Sequence, residues 1–426
     1  MIFFRFAAFL LLLLTAGLLR PAAAWANHLL IPMDASQKEH LKAYGAAYWL
    51  LSRQVEVDWL LNYRGGSFAC EVAQGAENEL AVRGVTYQVI SEAQYTGILS
   101  EIADPNANMD VMKLEKVPKI AVYTPKGKQP WDDAVTMVLT YAEIPFTQIY
   151  DDEVLRGDLP KYDWLHLHHE DFTGQYGKFY RMYRYRPWYQ QQQRDAEAAA
   201  KRNGFAKVSQ MKGAVTVKMQ EFIAGGGFLF AMCSATDSYD IALAGLGLDM
   251  VESMYDGDPA DPTAQSKLNF NRTLAFQNFR LERDPMEYEY SDIDMQPYER
   301  GVYEDNDFFQ LFTFSAKYDP VPTMLTQNHE RTIKGFMGQT TAFRKPLIKP
   351  DVVIMGDNKA SGEARYMHGT LGKGTWTFYG GHDPEDYQHM VEEEPTDLAL
   401  HPNSPGYRLI LNNILFPAAK KKKQKT

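Results

Sequence analysis

Cys233 stands where an apolar run stops. The segment 225–244 reads GGGFLFAMCSATDSYDIALA: a glycine run, a short apolar strand from Phe228 to Met232, the cysteine, then Ser234-Ala235-Thr236-Asp237 and a helix-like apolar stretch. A cysteine at a strand-to-helix turn projects its thiol above the sheet edge. It also lies near a helix N-terminus, whose partial positive charge favours the thiolate. The alternative is a buried cysteine serving as a small apolar residue. Two further apolar runs end in reactive groups. Trp164-Leu165-His166-Leu167 leads into His168-His169-Glu170-Asp171, and 374–379 (GTWTFY) leads into Gly380-Gly381-His382, followed by Asp383, Glu385 and Asp386.

Ligands of open α/β sheets bind at the carboxyl ends of strands. A thiol, a histidine that takes its proton and an acid that orients the histidine form a nucleophilic triad. The candidate catalytic set is therefore Cys233, His382 and Glu385, with Asp383 as the other acid beside His382. His168, His169, Glu170, Ser234 and Asp383 are candidate binding residues. Backbone amides near Ser234 and in the 171–174 loop are placed to hold an oxyanion. His168, His169, Glu170 and His382 also include the ligand types zinc takes. Adjacent residues of a strand face opposite sides, however, so no metal and no other cofactor is assigned.

The surrounding chain alternates strands with helices. Residues 29–33 and Val55 to Leu61 predict strands around a helix whose Leu41, Tyr44, Tyr48 and Leu51 share one face. Val85 to Ile90 predicts a strand and Ala93 to Ile102 a helix. Asp104-Pro105-Asn106-Ala107-Asn108 is a loop at the end of this N-terminal β-α-β region, residues 27–116. A second β-α-β follows, with strands Ile120 to Tyr123 and Phe146 to Tyr150. Its helix opens at Pro130, with Asp132 and Asp133 in its first turn. Long helical regions are expected over 178–201 and 208–222. Residues 250–345, rich in Asp, Glu, Tyr, Pro and Phe, predict an insertion with short strands. Ser404 and Pro405 cap a final helix burying Tyr407, Ile410, Leu411 and Ile414. The fold class expected is α/β, a mostly parallel sheet with helices on both faces.

The segment 179–189 (FYRMYRYRPWY) interleaves aromatics with arginines. It is either a stacking surface for sugars or bases, or a helix packing its aromatics and exposing its arginines. Residues 1–26 read as a secretory signal peptide: Arg5, an apolar run from Phe6 to Leu19, then Pro21-Ala22-Ala23-Ala24-Trp25-Ala26. Export to the periplasm or the exterior follows, with no retained transmembrane segment. The formal net charge is −10 despite a basic tail over 417–426, which argues against a nucleic-acid surface. Two cysteines, Cys70 and Cys233, are too few for a disulfide framework, though they could form one bridge.

The run Phe230-Ala231-Met232-Cys233-Ser234-Ala235 and the histidine of Phe378-Tyr379-Gly380-Gly381-His382 resemble the class I glutamine amidotransferase-like superfamily over residues 117–245 and 350–416. The resemblance implies a flavodoxin-like three-layer sandwich for 117–416, with Cys233 at a nucleophile elbow and His382 as its base. The glycines that flank the family's cysteine are here Ala231 and Ala235. The acid expected two residues after the histidine is replaced by Pro384. The segments NHLLIPMDASQKEHLKAYG, WLLNYRGGSF and HPNSPGYRLILNNILFPAAKKKKQ are similar to exported bacterial proteins often labelled asparagine synthetase B. An N-terminal cysteine after signal cleavage and a Ser-Gly-Gly-x-Asp-Ser pyrophosphate loop are both lacking, so ATP-dependent asparagine synthesis is not expected. What is expected is an exported, cysteine-dependent amide or acyl hydrolase acting on a small molecule or glycan. The alternatives are a non-catalytic carbohydrate-binding module on the same fold and a metal-assisted hydrolase.

Overall fold

A computed structural model describes residues 27–420 except 128 and 389; the expected signal peptide, residues 1–26, and the tail beyond Lys420 lie outside the described residues. Two sheets form. The first uses β1 (Asn27–Ile31), β2 (Val57–Leu61), β3 (Ser67–Glu71), β4 (Gln88–Ser91) and β5 (Asp110–Leu114) in the order β4-β1-β3-β2-β5. Every pairing in it is antiparallel. The expected β-α-β therefore exists in chain order only. The turn after β2 carries Gly65 and Gly66 at φ +76° and +89°, and it reverses the chain into β3, which inserts between β1 and β2.

The second sheet contains β6 (Ile120–Tyr123), β7 (Thr147–Ile149), β8 (Trp164–Leu167), β9 (Phe228–Met232), β10 (Phe308–Leu311), β11 (Thr332–Lys334), β12 (Phe343–Arg344), β13 (Val353–Asn358), β14 (Glu363–Leu371) and β15 (Gly374–Tyr379). Its order is β11-β10-β13-β14-β15-β9-β8-β6-β7, with β12 paired to β14. The run β15-β9-β8-β6-β7 is parallel and the rest is antiparallel. The protein is thus α/β, but the expectation of a mostly parallel sheet holds for half of this sheet alone. The 250–345 segment, β13 and the unforeseen β14 supply the antiparallel half. β14 reads EARYMHGTL, and its buried Glu363, Arg365 and His368 mask the apolar alternation that marks a strand.

In the parallel half the period-2 pattern sends alternate residues to two cores. Ile120, Val122, Phe230 and Met232 pack with the helices His40–Ser52, Ala134–Tyr141 and Pro405–Leu415. Ala121, Tyr123, Leu165, Leu229 and Ala231 pack with Val208–Gly225 and Ala235–Ala244 on the opposite face. The first core continues without a break into the N-terminal sheet through Leu29, Trp59 and Phe68. The C-terminal segment secures this junction. Buried Arg408 donates to the Met33 carbonyl at 2.9 Å and the Gly65 carbonyl at 2.7 Å. The Glu115 N–H donates to the Ala418 carbonyl, and Lys420 N–H to Lys113.

Three local differences shape the site. The helix expected from Pro130 begins at Ala134, because Asp133 caps it by accepting from the Thr136 amide at 2.8 Å; Trp131 and Asp132 remain in the loop. The helical region over 178–201 is broken, and Pro187 opens the helix Pro187–Arg202. Phe179 and Tyr189 are buried, Phe179 against Trp131, Tyr183, Trp188 and Tyr288, while Arg181, Tyr185 and Arg186 are exposed. Asp249, Asp256 and Asp258 of the acidic segment converge on Lys207, whose ammonium occupies the place a cation would take.

Candidate functional site

Parallel pairing brings the carboxyl ends of β6, β8, β9 and β15 to one edge. Each strand end contributes a reactive group: Trp131-Asp132-Asp133 after β6, His168-His169-Glu170 after β8, Cys233 after β9 and His382 after β15. Backbone bonds tie the last three together. The Cys233 N–H donates to the Gly381 carbonyl at 3.1 Å, and the Ala235 N–H to the His168 carbonyl at 3.0 Å.

Cys233 has φ +49°, a left-handed backbone that a non-glycine residue adopts only under tertiary constraint. Its Sγ accepts from the Gln339 N–H at 3.3 Å. The neighbouring glycines are sterically required. A Cβ on Gly338 would lie 2.8 Å from the His382 nitrogen, and one on Gly381 2.4 Å from the Phe336 ring. Cys70 and Cys233 are both free, so no bridge forms and the Cys233 thiol is available. The expectation that the helix N-terminus favours the thiolate is outweighed. Burial pushes the Cys233 thiol up to about 11, even though amide hydrogen bonds from Gln339, Thr340 and Ser234 pull it down. The hydroxyl of Ser234 is buried and has no hydrogen-bond partner among the described residues.

His382 is fully buried, and its Nε2 lies 2.8 Å from Asp132 Oδ1. Asp132 therefore takes the orienting place expected of Glu385 or Asp383. Glu385 instead lies 3.1 Å from His401 Nδ1, and Asp383 Oδ1 accepts from the Glu385 N–H at 2.9 Å. The physical reason is Pro384. The chain turns at 383–386, closing a bridge between Asp383 and Asp386, and carries both acids elsewhere. Burial, then the neighbouring His168, hold His382 well below the ordinary imidazole range, so it is neutral.

The two adjacent histidines do not face opposite sides. β8 ends at Leu167, and beyond it the rings of His168 and His169 stack at 4.1 Å with 12° between planes. His382 lies 4.4 Å from His168 and 4.8 Å from His169, ring centre to ring centre. Asp133 Oδ2 sits 3.2 Å from His166 Nε2 and 3.4 Å from His168 Nδ1. Burial pushes both histidines down. In His168 the Asp133 carboxylate more than offsets it and raises the pKa, whereas His166 stays lowered. Burial pushes Glu170 up to about 7, against the His168 amide that donates to its Oε2 at 2.9 Å.

A cavity of about 500 Å³ is lined by Cys233, His382, His169, Gln339, Trp131 and Tyr288. A second, of about 460 Å³, adjoins it across Trp131 and His169 and is lined also by Glu170, Asp171 and Trp188. Asp132, Asp133 and Gln339 are the site residues the sequence reading missed. The strand-end rule applied to β6 finds the two aspartates; nothing in the sequence marks Gln339.

No family model matches the chain, and no curated protein matches it. Among solved structures, the Cytoplasmic Protein STM3548 from Salmonella typhimurium is similar at 10% identity and TM-score 0.34, over 71% of this chain and 100% of its own. STM1381 from Salmonella typhimurium LT2 gives the same figures. The GH42 β-galactosidase Gan42B is similar at 11% identity and TM-score 0.28, over 63% of this chain and 28% of its own. At these TM-scores the likeness decides nothing about fold or function here.

Proposed function

We propose that the protein is an exported cysteine-dependent hydrolase of amides or related acyl compounds, with Cys233 as nucleophile and its parallel half arranged as in the amidotransferase-like fold. One observation carries this reading: a cysteine held at φ +49° at a strand-to-helix turn shares a cavity with a carboxylate-bound histidine. Asp132 accepts from the His382 Nε2–H, which makes Nδ1 the proton-accepting nitrogen. The thiol is neutral at rest, so proton transfer from Sγ to His382 accompanies attack on the acyl carbon rather than preceding it. His382 then returns the proton to the leaving group, and water hydrolyses the thioester. The Gln339 and Ser234 amides beside Sγ are suited to hold the oxyanion. Trp131, Trp188 and Glu170 in the adjoining cavity suit a small polar or glycan substrate. Among the described residues no helix is long and apolar enough to cross a membrane.

The test is a panel of amides, thioesters and activated esters offered to wild type and to Cys233→Ala. Turnover by wild type alone, with the variant melting at an unchanged temperature, is the expected result. Equal turnover by both sinks the cysteine mechanism.

A further inference from the structure

We infer that His168, His169 and His382 form a binding site for one divalent metal ion of the zinc class. Three features of the geometry point to it. First, each histidine offers one ligand atom, and the three atoms lie within 4.8 Å of one another. Tetrahedral zinc, with nitrogens at about 2.0–2.1 Å, needs them about 3.4 Å apart. His168 and His382 are fully buried and fixed, while His169 is only half-buried on the cavity wall. The remaining closure falls to His169, the least buried of the three rings.

Second, carboxylates stand behind two of the imidazoles: Asp132 at 2.8 Å from His382 Nε2 and Asp133 at 3.4 Å from His168 Nδ1. At His382 the hydrogen-bonded carboxylate fixes the tautomer and turns the inner nitrogen's lone pair inward, as around metal-bound histidines, while at His168 the nearby Asp133 charge raises ligand basicity without a hydrogen bond. Third, both ring nitrogens of His168, Nδ1 and Nε2, are buried with no hydrogen-bond partner among the described residues, although the ring is fully enclosed. A buried nitrogen in that state loses its hydration without compensation, and a metal bond supplies it. Two carboxylates also bring two negative charges to the cluster, which one dication balances. Nitrogen ligands favour zinc or a neighbouring transition ion over magnesium or calcium, which take oxygen.

The site stands without the cysteine chemistry, since none of the three ligands is Cys233. If His382 is also the base of the hydrolase, one lone pair cannot serve an ion and a proton together, and the loaded protein is the inactive form.

The untagged protein, stripped with chelator, is titrated with Zn²⁺ alone and separately with Co²⁺, whose ligand-field bands report tetrahedral nitrogen coordination. One equivalent is expected to bind. His169→Ala, chosen because this residue is least buried, is expected to weaken binding at least 100-fold, and Asp132→Asn about 10- to 100-fold. Cys233→Ala is expected to bind as wild type does, which separates this test from that of the hydrolase. Circular dichroism confirms that each variant is folded. Folded wild type that takes up no stoichiometric ion overturns the inference. So does undiminished affinity in His169→Ala, or loss in Cys233→Ala, which would move the ion to the thiol.

Discussion

The two halves of the large sheet divide the work. The parallel half, β15-β9-β8-β6-β7, ends its strands in groups that can react. The antiparallel half and the 250–345 segment contribute the Gln339 and Thr340 amides and the Tyr288 ring to the cavity and its thiol, and otherwise hold structure. Their centre is a fully buried set of charges. Arg300 bonds Glu363 at 2.7 Å and Asp307 at 2.8 Å, and Arg365 meets both acids at 3.2 Å. Arg365 also donates to the Phe336 carbonyl at 2.7 Å, three residues before Gln339. The candidate reactive groups sit at strand ends, and the segment that crosses over them is anchored by buried ion pairs instead of by a sheet of its own.

Substitutions at the two places should therefore fail differently. Asp132→Asn removes the carboxylate from His382; kcat should fall roughly 10³- to 10⁴-fold, with little change in melting temperature. Arg365→Met leaves Asp307 and Glu363 with one cation, and denaturant titration should show a loss of about 3–5 kcal/mol. Equal melting of these two variants would erase the division. Asp294 offers a finer comparison. It accepts from the Thr341 and Ala342 amides at 2.9 and 2.8 Å, and burial pushes its pKa up to about 7. The folded state then holds a proton that the unfolded chain has released, so stability should fall as pH rises from about 4 to about 7 and level off above. Asn can accept from the same amides, and Asp294→Asn should flatten that slope in thermal melts recorded across the range. Gly338→Ala pushes a methyl against the His382 backbone; a cost of about 1–3 kcal/mol and a lowered kcat should appear together, joining the two regions. Arg186→Ala, which removes an exposed pair with Glu392, should change stability by less than about 0.5 kcal/mol.

How much of this was legible follows the same division. The strands 120–123, 228–232 and 374–379 stand out because parallel core strands are short apolar runs bounded by turns. Cys233, His168, His169 and His382 follow from reading where those runs stop. Asp132 reads in sequence as a helix residue, since Pro130 signals a helix start more strongly than Asp133 signals a cap. Sequence proximity points to Asp383 or Glu385 as the acid beside His382, whereas a loop 250 residues earlier supplies it. β14 and the Gln339 crossing were not legible at all, because buried charges satisfied by one another look, in sequence, like surface.

The grip of Arg408 on Met33 and Gly65 sets the order of events at birth. These partners are 375 and 343 residues apart. At about 5–20 residues per second of synthesis, roughly 20–75 s pass between the first strand and the arginine that fastens it. During that interval the β1–β5 segment has neither the helix Pro405–Leu415 that completes its core nor the bridge from β5 to Ala419. The native junction closes only once Arg408 has been made. A chain stalled or cut before Arg408 should stay protease-sensitive from its first strand onward, however much of its sequence has already been made.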